Sequence, residues 1–329
     1  MTLDPTRWRQ LVADMPLALI DTETTGKLAA EAGVCELGVS VYTAAEIETA
    51  ISASRFGDPN EVDTIVLPEP SAGYPFAARF NPGKPISPGA MRTHGIRDED
   101  VAGCPTIDTY AGWLGTIAAS CRVTGYNSRS YDLPILQRLT GAQFPHALDV
   151  MGVVQVARDQ PAPEGRLPWN CGGPVAMLGF SAFKNKLESV WAALRGVKMT
   201  GAHGAIADCR ATADVLFLLL ALFPGISADG PTLVAAAERA LCMVRAINGV
   251  LTFVVGKHEE TPVVEVELED PGYLGWLLDE DTVDDASKSA VIEAIGEARA
   301  TQILQQRRQR SPAPKRGRKP KETAGAAAV

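Results

Sequence analysis

The chain has 329 residues, 46% of them hydrophobic, enough for one substantial core with a smaller unit beside it. Its net charge of −8 hides an asymmetry, because from Thr301 onward eight basic residues face one acid, leaving +7 on the tail and −15 on the rest. The longest apolar run, at 215–223, is too short to span a bilayer, residues 1–10 are too polar for a secretory signal, and six scattered cysteines without a C-x-x-C pair argue against a disulfide framework and a structural zinc site. A reduced, cytoplasmic setting is expected. An acidic body with a basic tail points to a polyanionic partner that the tail holds.

Residues 17–21 (LALID) and 35–42 (CELGVSVY) read as the first two strands. A poorly patterned stretch at 44–76, with Gly57, Pro59, Pro68 and Pro70, is expected to be an insertion at a hairpin tip. YPFAARFNP (74–82) returns as a third strand, and ISPGAMRTHGIRDEDVAG (86–103) follows as loop with one short helix. Residues 106–119 have helical spacing, CRVTGYN (121–127) is a fourth strand, and YDLPILQRL (131–139) starts a helix with Asp132 in its first turn. After a loop at 160–174, KLESVWAALRGV (186–197) is a helix stopped by Gly196, and 206–223 is another, ended by Pro224 and Gly225.

TLVAAAERALCMVRAI (232–247) is expected to be one helix leading into a small module at 249–298. Beyond Gln306 the Arg, Lys, Pro, Gly and Ala composition predicts disorder. The order of elements gives an α/β architecture, a mixed sheet flanked by helices. Its expected units are 1–226 for the α/β domain, 227–300 for a linker helix and the small module, and 301–329 for a disordered basic tail.

Strand one ends on an acid pair. Asp21 and Glu23 are two apart, so both project from one face, where like charges repel unless a cation lies between them. The plain alternative is a strand end whose acids are solvated. Asp132, at a helix start, and Asp208, in HGAIAD, bring carboxylates from other elements to the same sheet edge. An all-carboxylate site suits Mg²⁺ or Mn²⁺, and two such ions about 4 Å apart can clamp a phosphodiester. On a single helix His203 would lie about 140° around from Asp208. It is therefore expected in the loop entering the helix, between Gly201 and Gly204, where a neutral imidazole can take a proton from an attacking water.

LALIDTETTG, VTGYNSRSYDLPIL and AHGAIADCRAT resemble, in order, the three motifs of the histidine-bearing DEDD exonucleases. That branch includes the proofreading epsilon subunit of bacterial DNA polymerase III, exodeoxyribonuclease X and ribonuclease T. ISPGAMRTHGIRDEDVAGCPT resembles the segment these enzymes carry between the first two motifs, and the likeness covers roughly residues 15 to 222. The resemblance implies a ribonuclease H-like sheet, with Asp21, Glu23, Asp132 and Asp208 as ligands of two Mg²⁺ or Mn²⁺ ions. It implies His203 as general base, Glu23 as a further catalytic residue, and Thr22, Thr24, Thr25 and Asn127 around the terminal nucleotide.

The implied activity is 3′–5′ hydrolysis of single-stranded or frayed DNA ends to nucleoside 5′-monophosphates, in replication proofreading or repair, with a DNA polymerase as a further implied partner. An RNA 3′-end trimmer and a non-catalytic nucleic-acid-binding module are the alternatives. FVVGKHEETPVVEVELEDPGYLGWLL (253–278) resembles the small domain that follows the nuclease core in exodeoxyribonuclease X-like proteins, with Val255 and Glu260 interrupting its first signature. PKRGRKPK (314–321) resembles an AT-hook, with Lys319 intervening before Pro320; it would place arginine in an A·T minor groove, against the alternative of a generic cationic tail. His94, His146 and His258 read as structural, Asp149 as a strand-end acid, and Tyr273 with Trp276 as packed core.

Overall fold

The computed structural model describes residues 4–54, 66–158, 160, 186–195, 199, 204–254, 257–280, 283 and 285–310. Two compact units are present, Met1–Leu241 and Cys242–Val329. None of the described helices is long and apolar enough to cross a membrane, and no disulfide joins the described cysteines.

The first unit is built on five strands: β1 (Leu17–Thr24), β2 (Val34–Tyr42), β3 (Phe76–Arg79), β4 (Arg122–Gly125) and β5 (Leu148–Asp149). They lie in the order β3-β2-β1-β4-β5, with β2 antiparallel to β1 and β3, and β4 parallel to β1 and β5. This is the expected ribonuclease H-like mixed sheet, and helices cover both of its faces.

Strand alternation sorts the two cores. Leu17, Leu19 and Tyr42 pack on one face with a long helix, whereas Ala18, Ile20, Leu37, Val39 and Val41 pack on the other. The first face also receives Trp8 and Leu11 of α1 (Trp8–Leu11) and Ile47 of α2 (Ala44–Ala53). The α2 helix corrects the expectation of an unpatterned insertion at 44–76. Thr43 and Glu46 form a reciprocal capping box that starts a helix there, while 55–65 lie outside the described residues. The next helices, α3 (Pro88–His94) and α4 (Asp98–Val101), pack with Cys35 of β2 in a small core that also holds Ile86 and Ile96. The second face is closed by α5 (Ala111–Ser120) and α6 (Asp132–Thr140), through Leu114, Ile117, Leu133, Ile135 and Leu136.

After β5 come α7 (Val150–Arg158), α8 (Leu187–Arg195) and α9 (Ala205–Leu222). Every residue from Val215 to Leu222 is buried, because the second half of α9 is apolar all round and sits inside the first core. Its approach to the sheet needs Gly38. A Cβ at that position would lie 2.6 Å from the Ala205 carbonyl carbon, a backbone atom that cannot swing away. Gly38→Ala is therefore expected to push the start of α9 off β2 and to cost about 1–3 kcal/mol of stability. Chemical denaturation will read the loss.

The helix expected at 232–247 divides in two. Its first part is α10 (Gly230–Leu241), which buries Leu233 and Ala237 in the first unit rather than linking two domains. Its last residues form β6 (Val244–Ile247), paired with β7 (Val250–Phe253). Asn248 and Gly249, at φ 51° and 83°, make the two-residue turn with both φ positive that matches hairpin twist.

Around this hairpin the second unit packs α11 (Val263–Glu269), α12 (Pro271–Asp279), α13 (Asp285–Ile295) and α14 (Glu297–Arg310). Tyr273 and Trp276 are partly buried against its core, and Tyr273 meets Phe253 edge-on at 5.6 Å. The tail expected from 301 is thus helical through Arg310, and Arg307 and Arg308 lie 3.3 and 3.4 Å from Asp279. Ile303 explains the difference, since it is 2% exposed and anchors α14 in the second core. The AT-hook-like segment lies outside the described residues.

Candidate metal centre

Strand β4 pairs with β1 only from Leu17 to Leu19. Beyond that point one edge of β1 is open, and the start of α6 fills the gap. The Thr22 backbone N–H donates to Asp132 Oδ1 at 3.1 Å, and the Thr22 hydroxyl donates to the same oxygen. On the α9 face Asp21 and Glu23 meet Asp208, which lies in the first turn of α9. One carboxylate oxygen from each of these three lies within 4.8 Å of the others. The strand pairing shifts register between Glu23 and Thr24, an irregularity of the ladder at the site itself.

Charge and burial work against one another here. Glu23 is 9% exposed and Asp132 5%. Burial, followed by the charges of Asp132, Asp208, Glu23 and Glu36, holds the Asp21 carboxyl well above the usual range. Burial, then Asp208, Glu36 and Asp132, pushes Glu23 up to about 8. Burial raises Asp132 to about 7 against the lowering effect of its hydrogen bonds with Thr22. Asp21, Glu23 and Asp132 resist ionisation together beside Asp208, and four acids with only oxygens to offer fit a hard divalent cation, whose charge would favour their ionised forms.

A pH dependence follows. In the folded, metal-free chain Glu23 and Asp132 keep their protons to about 8 and 7, whereas unfolded carboxylates release theirs near pH ~4. Between those limits the folded state binds more protons than the unfolded state, so stability falls as pH rises. Melting temperatures are expected to drop from pH ~5 to ~8 without metal, and Mg²⁺ or Mn²⁺ should recover the loss most strongly at the alkaline end.

The threonines have protein partners. Thr24 Oγ1 bonds the Gly26 carbonyl at 3.1 Å and the Tyr131 hydroxyl, while Thr25 Oγ1 accepts from the Gly33 N–H at 3.0 Å. Asn127 is exposed and left-handed at φ 57°, and its N–H donates to Asp149 Oδ1 at 2.8 Å. His203, the expected general base, lies outside the described residues; Gly204 caps α9 just after it. His94 Nδ1 accepts from the Ile96 N–H at 3.0 Å, so Nε2 carries the hydrogen that reaches the Thr24 carbonyl at 3.1 Å.

Two acids matter more than the sequence indicated. Asp149, 1% exposed, also accepts from the Met151 and Arg129 N–H groups, at 3.0 and 3.1 Å, and so shapes the loop that delivers Asp132. Glu36 stands directly across from Glu23 in the β1–β2 ladder. A carboxylate inside the mostly apolar CELGVSVY was the available signal for it.

The fold and site together define an α/β protein with a cluster of acids at the open end of its central strand. Among solved structures it is similar to apo exonuclease I, at 17% identity and a TM-score of 0.41 over 64% of this chain and 43% of that one. The chain thus spans less than half the length of that protein. It is also similar to exonuclease X in complex with 5′-overhanging duplex DNA, at 17% identity and a TM-score of 0.40 over 67% of this chain and 99% of that one. A third likeness is to the zinc-bound form of the E. coli exonuclease I–single-stranded DNA complex, at 14% identity and a TM-score of 0.48 over 90% and 71%. No protein-family model and no curated protein matches the chain.

Proposed function

We propose that the chain is a metal-dependent 3′–5′ exonuclease that hydrolyses phosphodiester bonds at DNA 3′ ends and releases nucleoside 5′-monophosphates. The observation that carries this reading is the meeting of Asp21, Glu23 and Asp208, with Asp132 fixed one residue away on the Thr22 backbone. The three motifs supply these acids in the order the nuclease branch uses. Asp21, Glu23, Asp132 and Asp208 would hold two Mg²⁺ or Mn²⁺ ions. When bound, such ions supply Lewis-acid charge to the attacking and leaving oxygens of the phosphate. His203 would accept the proton of the attacking water. Thr22, Thr24, Thr25 and Asn127 would border the terminal nucleotide, the threonines through a backbone that their own hydroxyl bonds keep rigid.

Matched 5′-labelled DNA and RNA strands test the substrate and the metal together. The DNA strand should shorten faster, EDTA should abolish the reaction, and Mg²⁺ or Mn²⁺ should restore it. Faster loss of the RNA strand would favour the 3′-end trimmer, and undiminished digestion in EDTA would remove the metal from the account.

A further inference from the structure

Helix α9 begins with a turn that no side chain of its own N-cap residue caps. Gly204 occupies the cap position and has no side chain with which to accept from the first free N–H groups. That role is filled from across the sheet, where Glu36 Oε2 accepts from the Ala205 N–H at 3.3 Å. Glu36 is aimed there by its place in the ladder, between Glu23 on β1 and Arg79 on β3, both directly opposite it. Arg79 Nε lies 3.5 Å from the other carboxylate oxygen. The Glu36 side chain is only 18% exposed, so its bond to Ala205 is sheltered from water. Ala205 precedes Asp208 by one helical turn, and the Asp208 N–H closes that turn on the Gly204 carbonyl at 3.0 Å. The same point lies two residues from His203 in the chain.

We infer that Glu36 is a positioning residue, whose hydrogen bond to the Ala205 N–H fixes the first turn of α9 and so sets Asp208 against Asp21 and Glu23. Its contribution is the acceptor oxygen and not the negative charge, which is paired with a half-exposed Arg79 and on the other side adds to the crowding of acids. This rests on the metal-centre reading, and it predicts a split between two substitutions. Glu36→Gln keeps an acceptor within reach of Ala205, and Glu36→Ala removes it. Supporting groups behind metal ligands are worth about 10–100-fold in metal affinity.

The test is Mn²⁺ binding by the full chain, measured by equilibrium titration without nucleic acid, with exonuclease rates alongside. Glu36→Ala should weaken Mn²⁺ about tenfold or more and lower kcat with KM little changed, and Glu36→Gln should stay within a few-fold of the unaltered chain on both readings. Ala205→Pro removes the donor at a position where proline suits a helix start, and it serves if Glu36→Ala does not fold. It should reproduce the loss, and adding Glu36→Gln to it should cost nothing more. Equal weakening by Glu36→Gln and Glu36→Ala would assign the effect to charge, and unaltered Mn²⁺ affinity in Glu36→Ala and Ala205→Pro would show that the contact is only structural. Either result overturns the inference. Because Mn²⁺ affinity is read without substrate, absence of nuclease activity in the unaltered chain would sink the proposed function and leave this test intact.

Discussion

Asp208→Ala is expected to lower the hydrolysis rate by about 10³-fold or more, the loss of several kcal/mol of charge stabilisation at the phosphate. The fold should survive. Asp208 sits half-buried in the first turn of α9 and contributes no apolar surface to the core below it, which draws on residues from Cys209 through Phe223. It is also one of the charges that raise Asp21 and Glu23, so its removal relieves repulsion in the metal-free chain. The variant should therefore melt no lower than the parent without metal, and it should gain less from added Mg²⁺ or Mn²⁺. Rate assays and paired melting curves will check both parts. A variant that turns over at the parental rate would show that the acid cluster is not the reaction centre.

His203→Ala is the second large effect. A general base in the transition state is worth about 10²–10⁴-fold in rate, and the substitution touches none of the four carboxylates. Mn²⁺ affinity should be retained while kcat falls. In the parent the rate should decline toward acid pH, because a protonated ring cannot accept a proton. The variant should lose that acid limb. Near-normal turnover in the variant at saturating substrate would make the histidine a bystander.

Much of the site was legible because its information is local. The spacing of Asp21 and Glu23 fixes their common face in any strand, and Asp132 was readable as a helix start from the YDLPILQRL pattern. The helix carrying Asp208 was evident from its apolar length. What sequence hid was tertiary. Glu36 acquires its role only when β2 lies beside β1 and the start of α9 comes down over Gly38. Asp149 reads as one more strand-end acid until three backbone N–H groups converge on it. Two misread elements did carry local signals. The Thr43–Glu46 capping box announced α2, and Asn248-Gly249 announced the hairpin, but the helical run before it outweighed that signal.

The most direct test follows a single-stranded DNA labelled at its 3′ end, incubated with the full chain and Mn²⁺. The account predicts that the label leaves first, as a nucleoside 5′-monophosphate, and that EDTA or Asp208→Ala stops its release. Label retained on the strand under Mn²⁺, or released equally in EDTA, would contradict it.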